Sequence, residues 1–300
     1  MELAAYLERI GYAGPVRPDV ATLVALHRAH LQAVPYENLD VQLGRPLTID
    51  PEAAIEKIVG RGRGGWCYEM NGVFGAALAQ IGFEVTRMAG AANRELLGDI
   101  MAGNHLVLLV EIEGQPWIAD VGFGDGSQDP FPLRPASMTV AGYPFRLETL
   151  DERWWRFHNH EFGGAKSFDF MVEPADPDLL AGRCEWLQYA PESHFVLNLV
   201  VQRYRGDTIL QMRGRTLRTP SATCARTAAT GRLRHATPAG RPRARRSSPS
   251  PTTTPSPIRT GSAKASVPST PTSSPSRAGS SCRRRICRST ASPPRRPTTS

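Results

Sequence analysis

The chain has 300 residues, enough for one large domain or two to three smaller ones around a sizeable core. Its net charge of +8 is misleading, because residues 219–300 hold 16 of the 36 Lys and Arg, none of the 28 acids, and no Phe, Tyr or Trp. The first 218 residues therefore set 20 cations against 28 acids, a net −8, which argues against a nucleic-acid-binding body and leaves the basic pI to the C-terminal segment.

The N-terminal part reads as helices. Leu3, Tyr6, Leu7 and Ile10 share one face, and Gly11 stops that segment. Asp19 is a good N-cap for a second helix carrying Leu23, Leu26, His27, His30 and Leu31 up to Pro35. Asp50-Pro51 opens a third, running through Ile55 and Ile58 to Gly60. After the loop Arg61-Gly62-Arg63-Gly64-Gly65, a fourth begins near Trp66-Cys67, with Met70, Val73, Phe74, Ala77, Leu78 and Ile81 at helical spacing before Gly82. Strands then take over: 83–89, 106–112, 117–121, 145–150, 154–157, 168–172, 194–201 and 208–212 are short, apolar and bounded by turn residues. Helices first and mostly antiparallel strands second predict an α+β fold, with a helical bundle over residues 1–83 and a β-barrel or open sheet over 84–218. From Thr219 the Arg, Pro, Ser and Thr vocabulary cannot bury enough apolar surface to order, so residues 219–300 are predicted to be a disordered basic tail. A GC-rich gene read out of frame would produce such a tail, as would a natural disordered segment; a nucleic-acid arm is disfavoured by the lack of aromatics for stacking. No secretory signal is seen, and no stretch approaches the ~18 apolar residues of a membrane span. The odd, irregular set of Cys67, Cys184, Cys224, Cys282 and Cys287 then suggests free thiols in a reducing, cytoplasmic setting.

Three residues are candidates to carry the chemistry, although taken singly His105 reads equally as a strand-end histidine bound to water and Asp120 as a polar residue ending a strand. Cys67 follows a glycine-rich loop at a helix start, where the dipole and free N–H groups favour thiolate; a small buried apolar role is the alternative. The segments flanking Glu113-Gly114 read as a hairpin in which residue 112 pairs with 115. That register puts His105 opposite Gly122 and makes Asp120 its diagonal neighbour on the same face. An Asp so placed can hold one imidazole nitrogen and leave the other for a thiol, the logic of a nucleophile–base–carboxylate triad. The remaining polar residues read as structural: His158-Asn159-His160 as a solvated loop, Asp125 and Asp129 as loop polarity, and His27 and His30 as packing partners of a helical stripe. No metal site is expected.

These residues resemble a known family. Arg63-Gly64-Gly65-Trp66-Cys67-Tyr68-Glu69-Met70-Asn71 is similar to the nucleophile motif of the arylamine N-acetyltransferases, of bacterial, actinobacterial type. Pro35-Tyr36-Glu37-Asn38-Leu39-Asp40, Asn104-His105, Asp120-Val121-Gly122-Phe123-Gly124 and Ser193-His194-Phe195 resemble further motifs of that family, in order, across residues 1 to about 218. The resemblance implies a helical bundle, a β-barrel with a cysteine-protease-like Cys-His-Asp core, and a C-terminal α/β lid. It also implies ping-pong transfer from acetyl-coenzyme A to an arylamine or hydrazine through acetyl-Cys67, with His105 as base and Asp120 holding His105. Tyr36, Phe123 and Phe195 match pocket-lining positions and Gly124 a coenzyme A contact; no permanently bound cofactor is implied.

One departure stands out: where the family continues into its lid, this chain carries the basic tail, so stability, coenzyme A affinity and turnover are expected to suffer. Rival readings are an amide synthase of the same fold, a papain- or transglutaminase-like cysteine hydrolase, and an inactive product of a disrupted gene.

Overall fold

Residues 2–220 are described by the computed structural model of the chain; from residue 221 on, the predicted tail and the question of a replaced lid lie outside the described residues. Helix α1 (Leu3–Ile10) ends on Gly11, whose φ of 67° is the left-handed conformation of a helix stop. Helix α2 (Val20–Ala33) starts where the Asp19 carboxylate accepts from the Thr22 N–H at 2.8 Å. Strand β1 (Tyr36–Glu37) and the single turn α3 (Leu39–Gln42) follow. Helix α4 (Pro51–Ile55) begins at the Asp50-Pro51 cap and widens into a π-helical turn, Glu56–Gly60. Helix α5 (Cys67–Ile81) has Cys67 as its first residue and stops at left-handed Gly82.

The rest of the chain supplies β2 (Glu84–Ala92), α6 (Arg94–Leu97), β3 (His105–Ile112), β4 (Gln115–Ala119), β5 (Phe131–Pro132), β6 (Ala136–Val140), β7 (Tyr143–Thr149), β8 (Trp154–His158) and β9 (Ser167–Met171). Helices α7 (Pro177–Tyr189) and α8 (His194–Leu197) then lead to β10 (Val200–Arg205), β11 (Thr208–Arg213) and β12 (Thr216–Arg218). Strands β2 to β9 form one eight-stranded antiparallel sheet in the order β5-β4-β3-β2-β9-β8-β7-β6. The sheet curls on itself, because Phe131 of edge strand β5 stacks on Phe157 of β8 with centroids 5.2 Å apart. Helix α5 lies on its outer face: a Cβ at Gly75 would touch the Leu108 methyls of β3 at 3.4 Å. Strand β3 is thus covered on both faces, which explains why Leu106–Val110 reads as a continuous apolar run. The buried residues of the helices and both sheets make one cluster.

The predicted hairpin is present in the predicted register, with Ile112 opposite Gln115 and Leu108 opposite Ala119. Its turn residues Glu113 (φ 51°) and Gly114 (φ 74°) take the positive angles that a tight two-residue hairpin needs. Pairing stops at Ala119, so the expected His105–Gly122 pair does not form, and His105 pairs instead with Gly90 of β2. Three further expectations change. Residues 194–201 are not one strand: Ser193 caps the turn α8 by accepting from the Phe195 N–H, and β10 begins only at Val200. Three apolar residues in a row, Phe195 to Leu197, do not distinguish a helical turn from a strand. Residues 200–218 do not join the curled sheet but form a second sheet with the N-terminal region, β1-β10-β11-β12, in which Tyr36 faces Gln202. Helix α7 went unread although Asp176-Pro177 repeats the Asp50-Pro51 pattern, the Asp176 side chain accepting from the Asp178 N–H at 2.9 Å.

Candidate active site

The first residue of α5 lies against the residues that flank the first residue of β3. The Cys67 Sγ lies 3.9 Å from the Asn104 carbonyl oxygen and also receives the Leu106 N–H, so it sits against the backbone on either side of His105. The chain returns past it at Gly122, where a Cβ would stand 2.8 Å from the Cys67 Cα and 2.9 Å from its carbonyl oxygen. Only glycine allows that approach.

Beyond Ala119 the chain bends away from the sheet and Asp120 reaches the imidazole: His105 Nε2 is 2.8 Å from Asp120 Oδ2. That contact leaves Nδ1 as the ring nitrogen for a thiol. Asp120 is itself held from three directions. Its Oδ1 accepts from Asn71 Nδ2 at 2.8 Å and from the Gly122 N–H at 2.9 Å, while its own N–H donates to His27 Nε2 at 3.2 Å. Burial alone would raise the Asp120 pKa, but the neighbouring His105 and the hydrogen bonds from Asn71 and Gly122 hold it below the usual carboxylate range. It stays ionised. Asn71 also donates to the Leu106 carbonyl and accepts the Val121 N–H, bridging β3 and the segment after β4 from within α5. His27 is buried and structural, as expected; its Nδ1 donates to the Gln128 carbonyl, which makes Nε2 an acceptor.

The expected effect of the helix start on Cys67 is reversed. Burial pushes the thiol well above its ordinary range, and the Leu106 and Tyr68 N–H groups only partly offset it. Cys67, His105 and Asp120 are 2%, 3% and 8% exposed, so water has little access to any of the three.

The three pocket candidates fall on two sides. The Phe123 ring lies 5.2 Å from the His105 ring and 4.9 Å from that of Phe168, a neighbour the sequence did not single out. Tyr36 and Phe195 face each other at 6.5 Å, and Phe195 packs on Trp66 at 5.5 Å. Asn38 seats Phe195, its Nδ2 donating to the Phe195 and Asn198 carbonyls at 2.8 Å each. Gly124 (φ 83°) connects the sides; a Cβ there would lie 3.2 Å from the Tyr36 ring and would collide with Gln202.

Two polar readings are corrected. Asp125 is not loop polarity but a buried carboxylate, 1% exposed. His160 is not solvated: it packs against Tyr143 and Phe145, and its Nε2 donates to the Asp125 carbonyl at 2.9 Å. Asp129 stays near the surface, paired with Arg28. A buried ionic node beneath the nucleophile loop also went unread. Lys57 Nζ lies 2.8 Å from Glu69, 2.9 Å from Asp40 and 3.8 Å from Glu37, and Arg63 binds Asp40 at 2.8 Å and Glu37 at 3.2 Å. Glu69 completes the node by accepting from the Trp66 N–H, the residue just ahead of Cys67. Among the described residues no three His, Cys, Asp or Glu gather as a metal site would require, and no helix is long and apolar enough to cross a membrane.

The site thus holds a buried thiol close to the backbone around a histidine that an ionised carboxylate holds, groups that acyl transfer can use. A family model described as N-acetyltransferase matches residues 19–235. An arylamine N-acetyltransferase from Escherichia coli is 36% identical over 214 residues, covering 67% of this chain and 73% of the relative. One from Mycolicibacterium smegmatis is 36% identical over 226 residues, covering 72% and 82%. Among solved structures, the Mycobacterium marinum arylamine N-acetyltransferase superposes with a TM-score of 0.68 at 28% identity, over 76% of this chain and 91% of that one. The same enzyme in complex with CoA gives 0.67 at 31% identity, over 74% and 84%. The chain belongs to the arylamine N-acetyltransferase family of acyltransferases.

Proposed function

We propose that the chain transfers acetyl from acetyl-coenzyme A to an arylamine or arylhydrazine through an acetyl-Cys67 intermediate. The observation that carries the reading is the 2.8 Å contact of His105 with Asp120 beside a buried thiol, within a chain of this family. His105 Nδ1 takes the Cys67 proton as Sγ attacks the thioester carbon. Backbone N–H groups near Cys67 receive the developing oxyanion. The carbon–sulfur bond to coenzyme A breaks, and His105 returns the proton to the departing thiol. The amine then attacks acetyl-Cys67, His105 accepts its proton, and the Cys67 thiol is regenerated. Asp120 keeps the imidazole oriented in both halves. Tyr36, Phe123 and Phe195 supply apolar walls for a flat ring, and Gly124 lets coenzyme A approach the backbone.

Initial rates with acetyl-coenzyme A and a small aniline test this. Parallel lines in double-reciprocal plots are expected; intersecting lines contradict an acetyl-enzyme. One observation favours an amide synthase as the second reading: a relative named proansamycin X synthase, from Amycolatopsis mediterranei, is 34% identical over 152 residues, though these cover 49% of this chain and 58% of the relative. Failure to acetylate any small aniline would favour that alternative.

A further inference from the structure

Asp125 has no part in the proposed proton transfers, yet its surroundings are built around it. Oδ1 accepts from Asn159 Nδ2 at 2.9 Å; Oδ2 accepts from the Gly164 N–H at 2.8 Å, Gln202 Nε2 at 2.5 Å and Gln211 Nε2 at 2.8 Å. Every donor is uncharged, and among the described residues Asp125 makes no ion pair. A buried carboxylate without a cation is tolerated only when its oxygens are hydrogen-bonded, and of the four acceptor positions it offers, Oδ1 takes one donor here while three donors converge on Oδ2. An amide would offer half of them and would push two N–H groups toward donors.

The donors come from three parts of the chain: the β8–β9 loop (Asn159, Gly164), β10 (Gln202) and β11 (Gln211). Asp125 therefore ties residues 120–126 to both sheets. Gln202 occupies the space above Gly124, the residue before Asp125, and pairs in register with Tyr36. Phe123, one residue further back, packs on the His105 ring. We infer that Asp125 is a positioning residue for the acyl-transfer site: its carboxylate fixes the loop that presents Asp120 and Phe123 to His105 and seats Gly124 beneath Tyr36. The inference rests on the reading of Cys67 and His105 as the reacting pair.

The full chain is compared with Asp125→Asn and with Asp125→Asn/Gln202→Glu, which moves the carboxylate across the shortest of the four bonds. Alkylation of Cys67 by iodoacetamide at pH 7 is followed by mass spectrometry, well below the unfolding midpoint of each variant. The single variant is expected to react about 10–100-fold more slowly, the scale of misplacing a catalytic group by an ångström, and the double variant to recover most of the loss. Unfolding midpoints of both variants are read alongside, so that lost stability is separated from lost reactivity. Wild-type reactivity of Asp125→Asn, or no recovery in the swap, overturns the inference. Gln211→Leu removes one donor and keeps the test open should Asp125→Asn not fold; it is expected to slow alkylation severalfold, and an unchanged rate counts against the role. Acetylation by acetyl-coenzyme A is scored in parallel: a wild type that takes no acetyl contradicts the acetyl-enzyme reading, while the alkylation rates still decide the role of Asp125.

Discussion

Replacing Lys57 by Met tests whether the buried ionic node holds the nucleophile loop. Lys57 is 2% exposed and contacts three carboxylates, two of them within 2.9 Å. Methionine fills the stem but leaves Glu37 and Asp40 to Arg63, with Arg45 near Asp40 at the surface, and strips Glu69 of the one cation it pairs with among the described residues. Breaking one partner out of a buried ionic group costs ~3–5 kcal/mol. At ~2–4 °C per kcal/mol for a domain of this size, the midpoint of thermal unfolding should fall by roughly 6–20 °C. The pH dependence has a definite sign. Burial already raises the Glu69 pKa and Lys57 is the main opposing influence, so removing Lys57 raises it further. A carboxylate with a raised folded pKa is stabilised by protonation, so the deficit should shrink as pH falls from 7 toward 5. Calorimetry or near-UV circular dichroism across that range provides the assay. A midpoint within 2 °C of wild type, or a deficit that grows on acidification, refutes the reasoning.

Other substitutions reach the site more directly. Asp120→Asn should leave the fold intact but cut acetyl transfer by about 10³-fold or more, since the imidazole loses its orienting anion; a steady-state assay with a small aniline measures this. Asn71→Ala removes donors to Asp120 and Leu106 and the acceptor for Val121, and should cost ~2–4 kcal/mol in urea unfolding. Gly122→Ala drives a methyl into the Cys67 backbone, so Cys67 alkylation should slow and stability fall by ~1–3 kcal/mol. For His160, burial lowers the pKa from 6.5 to about 4, so the unfolded chain binds the extra proton between those values and stability is lost as pH drops through that window. A His160→Gln variant should lose less stability than wild type between pH 7 and 4.5, read from denaturant midpoints; equal losses would show that His160 does not titrate as the structure implies.

The elements that local chemistry punctuates were legible in the sequence. Asp19, Asp50-Pro51, Gly11 and Gly82 each bound a helix where expected, because caps act within one turn. The hairpin was legible to the register, since a two-residue turn leaves one pairing, but that pairing ends at Ala119 and His105 meets Asp120 where the chain leaves β4, not as a diagonal pair of the ladder. Asp176-Pro177 was equally readable and was passed over. What could not be read is burial of polar side chains by distant partners. Asp125 meets Gln202 across 77 residues and Lys57 meets Glu69 only because a π turn and a glycine loop fold together. Without those contacts both look like surface charges. The Cys67 expectation failed for the same reason: a helix start is local, whereas the desolvation that outweighs it comes from the packed sheet.

The central claim is that Cys67 carries the acetyl group. Intact-mass spectrometry after mixing the chain with acetyl-coenzyme A, before any amine is added, tests it most directly. A single acetyl on the wild type, absent from Cys67→Ala and lost when an aniline is supplied, is the predicted result. A folded wild-type sample with no adduct, or an adduct that persists in Cys67→Ala, would contradict the account.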